Sequence, residues 1–124
     1  MPFLDITVFE HSPAQRAALA EQVTAALTQS WGISADIVTL YFQILREGEC
    51  AHAGAVVPSA SARVFIKVHA FPRGIAHKRE AAGLMTQACA QVLQIPSKSV
   101  AIYFLDRERH DVSHAGVLAC DEVH

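Results

Sequence analysis

The sequence predicts an α+β fold in which two tandem β-α-β units form a four-stranded mixed sheet with two helices on one face. Three observations carry this reading. Shifted by 62 positions, Val38, Tyr41 and Phe42 fall on Val100, Tyr103 and Phe104, and His52, Ala53 and Gly54 fall on His114, Ala115 and Gly116, without a gap. Each copy opens and closes on a short apolar alternation, the period of a strand buried on one side. Between these strands each copy carries a long segment whose apolar residues recur at helical spacing. A chain of 124 residues supports one domain, 1–124, with pseudo-repeats at about 2–57 and 64–119.

Taken in order, Leu4, Ile6 and Val8 form one face of the first strand, and Phe3, Asp5 and Thr7 the other. Ser12-Pro13-Ala14-Gln15 then combines an N-cap serine, a proline at the first helical position and a glutamine placed for the reciprocal cap, so a helix starts here. Its buried stripe is Leu19, Val23, Ala26, Leu27 and Trp31, and Gly32 is placed to end it in a left-handed cap. A second strand follows from Val38 to Ile44, with Val38, Leu40 and Phe42 facing the helices and Thr39, Tyr41 and Gln43 facing away. The second copy repeats the plan. Val64, Ile66 and Val68 oppose Phe65, Lys67 and His69, a helix runs from about Ala76 to Leu93 before Pro96, and a last strand covers Val100 to about Leu105. The helical stripe there is Ala81, Leu84, Met85, Ala88 and Val92. A helix joining two strands of one sheet implies a right-handed crossover between parallel neighbours. The face away from the helices mixes Asp5, Thr7, Tyr41, Lys67, His69 and Tyr103 with apolar neighbours, which predicts burial against other subunits.

Composition narrows the function. Apolar residues make up 52% and charged residues 18%, with a formal charge of -2, so the chain has the means to fold and lacks the cationic excess a nucleic-acid partner requires. Asp5 and Glu10 interrupt the first residues where a signal peptide would be apolar, and no run reaches the ~18 apolar residues of a membrane span, so the expected location is the cytoplasm. Cys50, Cys89 and Cys120 are odd in number and far apart, the pattern of reduced, buried thiols.

With Met1-Pro2 at the start, Arg16-Ala-Ala-Leu-Ala-Glu-Gln-Val in the first helix and Gly32-Ile33 before the second strand, the chain resembles the tautomerase superfamily, typified by 4-oxalocrotonate tautomerase and its fused relatives. His69-Ala-Phe-Pro-Arg73, Ile102-Tyr103-Phe104 and His114-Ala-Gly116 are most similar to its cis-3-chloroacrylic acid dehalogenase and malonate semialdehyde decarboxylase branches. The resemblance spans essentially the whole chain and implies a homotrimer with an N-terminal proline as the catalytic group. Only Pro2 qualifies, since its counterpart in the second copy is Val64. Freed of Met1, a proline presents a secondary amine that serves as base when burial favours the neutral form, or as acid when a neighbour favours the cation.

The resemblance also implies that Arg73 binds a substrate carboxylate, a task suited to a guanidinium fork. The second arginine of the dehalogenase and decarboxylase branches is absent, because Phe71 and Ala76 stand at its two candidate positions. His11 and Thr39 stand where short tautomerases carry arginines. Tyr103 matches a tyrosine near the terminal proline, where it would polarise a carbonyl or orient a water; it would equally serve, like Tyr41, to hold a subunit contact. His114 takes the position of a water-activating glutamate, while its repetition as His52 argues for a structural role.

His110 and His114 stand four apart but in a loop or short turn without a third ligand, so no metal is implied, and the chain has no motif that implies a cofactor. Three functions are compatible with these residues. One is a tautomerase or isomerase of small 2-oxo or enol carboxylic acids with Pro2 as general base. Another is a hydratase, dehalogenase or decarboxylase of a three-carbon acid with Pro2 as general acid. The last is a non-catalytic trimeric binding protein.

Overall fold

The structure is a computed structural model and describes residues 1–122. Its elements come twice in the same order. The first set is β1 (Phe3–Phe9), α1 (Pro13–Trp31), β2 (Thr39–Leu45), and a short hairpin of β3 (Ala51–His52) and β4 (Ala55–Val56). The second is β5 (Val64–Ala70), α2 (Ile75–Leu93), β6 (Val100–Asp106), and a hairpin of β7 (Ser113–His114) and β8 (Val117–Leu118). One four-stranded sheet has the order β2-β1-β5-β6, parallel within each unit and antiparallel where β1 meets β5. Among the described residues no helix is long and apolar enough to cross a membrane.

Local chemistry accounts for the boundaries. The Ser12 hydroxyl accepts the Gln15 backbone N–H at 3.1 Å while the Gln15 side chain accepts the Ser12 N–H at 2.9 Å, the reciprocal cap the sequence predicts. Gly32 ends α1 at φ 64, its N–H bonded to the Thr28 carbonyl. The equivalent of Gly32 in α2 is Gln94, which takes the same left-handed conformation at φ 56 with a side chain, and Pro96 forbids continuation. The repeated His-Ala-Gly acquires a physical meaning here. Ala53 and Gly54, and again Ala115 and Gly116, all have positive φ, which is what a two-residue type I′ hairpin turn demands.

The core lies between the helix pair and one sheet face. Leu4, Ile6, Val8, Val64, Ile66 and Val68 are each at most 1% exposed beneath Leu19, Val23, Leu27 and Met85. Leu40, Phe42 and Ile44 of the edge strand β2 reach the same core half-buried. Every residue assigned to the stripe of α1 is buried; in α2, Leu84 and Val92 are only half-buried and Cys89 is the buried residue the reading left out. Of the three cysteines only Cys89 is buried, where burial pushes its thiol up to about 12; Cys50 is half-buried and Cys120 exposed, so the expectation of buried thiols fails for those two. Both lie outside the packed strands and helices, where alternation carries no burial signal.

Two substitutions test this account. Ser12→Ala removes one cap and is expected to lower unfolding free energy by about 1 kcal/mol. Ile66→Ala opens a cavity in the sheet centre and is expected to lower it by about 2–5 kcal/mol. Urea denaturation followed by circular dichroism reads both.

Candidate active site

The register builds the site. Phe3 pairs with Thr39 on β2 and with His69 on β5, so Pro2 lies at one end of the sheet, where β1 and β2 begin and β5 and β6 end. A cavity of about 610 Å³ opens there, lined by Pro2, Thr39, Tyr41, Asp36, His114 and Glu122 among others. The Pro2 ring is fully buried and its carbonyl accepts the Thr39 N–H at 3.3 Å, which ties the chain start to β2. Tyr41 meets Phe3 edge to face with centroids 5.9 Å apart. His114 arrives from the second hairpin, held by its I′ turn, with Nδ1 4.0 Å from the Glu122 carboxylate.

Beside this cavity a chain of polar side chains crosses the open sheet face. Nε and Nη2 of Arg107 lie 3.2 and 2.9 Å from Nδ1 of His69, which must therefore accept, leaving the proton on Nε2 directed at Asp5 Oδ2, 3.4 Å away. Phe3 stacks flat on the imidazole at 4.4 Å. Burial pulls the His69 pKa below its usual value and Arg107 adds to this, outweighing the upward pull of Asp5. A neutral imidazole between an arginine and a carboxylate results.

The structure brings together some of the residues singled out from sequence and separates others. Pro2 and His114 share one cavity. Tyr103 does not reach it within one chain. It lies level with Asp5 on β6, two strands across and three residues along from Pro2, a backbone separation on the order of 14 Å. Its repeat partner Tyr41 occupies the place beside Pro2. Arg73 stands at the same end of the sheet but outside the cavity lining; its guanidinium is 4.3 Å from the Trp31 ring centroid and donates to the Phe71 carbonyl at 3.2 Å. Burial lowers its pKa from the usual value, yet a guanidinium remains charged at neutral pH. His110 and His114 are split between a 3-10 turn and β7, and among the described residues no group of three or more His, Cys, Asp or Glu could hold a metal.

Sequence reasoning missed Tyr41, Asp36 and Glu122 as neighbours of Pro2, and Arg107 as the partner of His69. The first was within reach, since an in-register parallel pair of β1 and β2 sets Tyr41 opposite Asp5. The others depend on where loops and the second hairpin fold back.

No family model matches this chain, and neither does any curated protein. Solved structures do. A wild-type fused 4-OT described as a symmetric trimer aligns with TM-score 0.86 at 23% identity, over 96% of this chain and 97% of that one. The chain has the fused 4-OT fold. The same architecture aligns a malonate semialdehyde decarboxylase at TM-score 0.78 and 22% identity, over 94% of this chain and 93% of that one. A member of the cis-3-chloroacrylic acid dehalogenase family aligns at 0.82 and 21%, over 94% and 82%. Each of these alignments takes in at least 94% of this chain.

The His69 environment predicts a pH dependence. Folded His69 binds its proton less tightly than the unfolded chain, whose histidine titrates near 6.5, so falling pH protonates the unfolded state first. Its contribution is present above that pH and lost below it. Urea midpoints between about pH 7 and pH 5 are expected to fall more steeply for the native chain than for His69→Asn, which has no such titration.

Proposed function

We propose that this protein is a tautomerase-superfamily enzyme that moves a proton between oxygen and carbon in small 2-oxo acids or their enols, without a cofactor. The position of Pro2 carries the reading: a buried ring at the start of a central strand, on the rim of the cavity where Tyr41 and His114 converge. With Met1 attached, the Pro2 nitrogen is an amide and has no basicity; removal of Met1 makes it a secondary amine held in one place by its ring and by the Thr39 contact. As base, that amine takes the enol O–H proton and returns it to carbon while the carbonyl forms. His114, which lines the same cavity, is proposed to polarise the forming carbonyl, and Arg73 to hold the substrate carboxylate. Only one of its five N–H donors is engaged among the described residues.

The carboxylates Asp36 and Glu122 favour a second reading. They line the same cavity, and negative charge beside an amine favours the cation, whereas burial favours the neutral form. A cationic Pro2 would serve as general acid in hydration, dehalogenation or decarboxylation of a three-carbon acid. Titration of the Pro2 nitrogen by NMR separates the two, because a base is neutral and an acid cationic at the working pH.

A homotrimer is part of the proposal. Tyr41 and Tyr103 stand 57% and 62% exposed on the open sheet face, the edge strands β2 and β6 have unpaired sides, and a solved fused 4-OT is a trimer. Sedimentation at micromolar concentration is expected to show a species of three times 13.4 kDa, and a purely monomeric boundary refutes it.

Kinetics test the chemistry. Ketonisation of phenylenolpyruvate is expected from a chain that mass spectrometry shows to start at Pro2, and to vanish when one residue precedes it. Arg73→Ala is expected to raise KM by about tenfold or more with a smaller effect on kcat, as removal of a charge-assisted contact made in both ground and transition states should. Equal turnover with a blocked amine would remove Pro2 as the base.

A further inference from the structure

The duplication gives the sheet two ends, and only one of them carries Pro2. Asp5 faces Lys67 in the central antiparallel pair, and these two are also repeat partners, so a local two-fold axis passes between them. It carries the Pro2 end of the sheet onto the end where Val64 begins β5. A second cavity, of about 280 Å³, lies there. Its lining repeats that of the first: Val64, Phe65, Ala101 and Tyr103 stand for Pro2, Phe3, Thr39 and Tyr41. The charge is reversed. Lys98 replaces Asp36 and Arg63 replaces Met1, while among the lining residues there is no carboxylate.

Two further differences shape this space. At the Pro2 end, His69 and Arg107 cover the sheet face; their repeat partners here are Thr7 and Leu45, smaller or uncharged, and both line the cavity. The aromatic wall is set by Phe65 and Tyr103, edge to face with centroids 4.9 Å apart. Neither Arg63 nor Lys98 pairs with an acidic side chain among the described residues. An apolar floor, an aromatic wall, a phenol and two unneutralised cations fit one ligand class, a small organic acid with an apolar body.

We propose that the Val64 end of the sheet is a second, non-catalytic site that binds a small aryl or alkyl carboxylate, with Arg63 and Lys98 on the carboxylate and Phe65, Val64 and Leu45 against the body. Val64 offers no amine, so the site binds without turning the ligand over. The inference rests on the second cavity alone and stands or falls independently of Pro2 chemistry.

Calorimetric titration of the Pro2→Ala chain with phenylacetate is the test. Binding is expected to persist there, to weaken about tenfold in Pro2→Ala carrying Arg63→Gln or Lys98→Gln, the order of one lost charge-assisted hydrogen bond, and to be absent for neutral phenylacetamide. Cys50 also lines this cavity, so phenylacetate is expected to slow its alkylation by iodoacetamide while leaving the exposed Cys120 unaffected. No binding to Pro2→Ala, binding indifferent to both cation substitutions, or equal binding of the amide overturns the proposal. A failure of the Pro2 reading shows instead as a native chain without ketonisation activity, which leaves this titration unchanged.

Discussion

The antiparallel pairing of β1 with β5 is the contact on which the rest of the molecule depends. Leu4, Ile6 and Val8 on one strand, and Val68, Ile66 and Val64 opposite them, form a continuous apolar ribbon that both helices cover. A slip of β1 by one residue would turn its half of this ribbon outward and bring Phe3, Asp5 and Thr7 beneath the helices, burying the Asp5 carboxylate without a partner. The register is therefore fixed by burial. Because it sets Asp5 against Lys67, it also fixes the local two-fold axis and the two equivalent ends of the sheet.

Duplication followed by divergence then distributes chemistry unevenly over those ends. Only one of them carries a proline, Pro2 before β1, since Val64 takes its place at the start of β5. Around Pro2 the neighbours are acids and imidazole; around Val64 they are cations. The parts that hold the fold, namely the apolar ribbon, the hairpin turns and the helix spacing, stay alike in both copies. The charged and polar residues that give the two ends their different chemistry, Asp36 against Lys98 among them, lie at the sheet ends, where substitution leaves the core intact.

The Asp5–His69–Arg107 chain illustrates how the open face is held. A neutral imidazole accepts from Arg107 and directs its own N–H at Asp5, with Phe3 stacked on the ring, so a polar group on the sheet surface is both satisfied and nearly buried. Cross-strand pairing of Phe3 with His69 brings ring onto ring. Arg107, just past the end of β6, bonds through its N–H to the Ala70 carbonyl at 2.7 Å, which locks that guanidinium at the Pro2 end.

Much of this was legible in the sequence because it rests on local or periodic rules. The repeat offset, the strand alternations, the Ser12–Gln15 cap and the Gly32 stop all depend on neighbours within a few residues, and each stands where the pattern puts it. That Pro2 precedes the first strand while Val64 takes its place in the second copy was equally a matter of sequence. What tertiary structure alone decided is which residues meet. Tyr41 rather than Tyr103 stands beside Pro2 in the same chain, because parallel pairing within a unit is closer than the two-strand crossing to β6. His114 and Glu122 join the cavity only because the second hairpin folds back over the first unit's strand start, and Arg73 lies on Trp31 because α1 ends where α2 begins. Periodicity specifies the face a residue takes; it carries no information on which distant segment covers that face, and for this protein that second choice assembles the site.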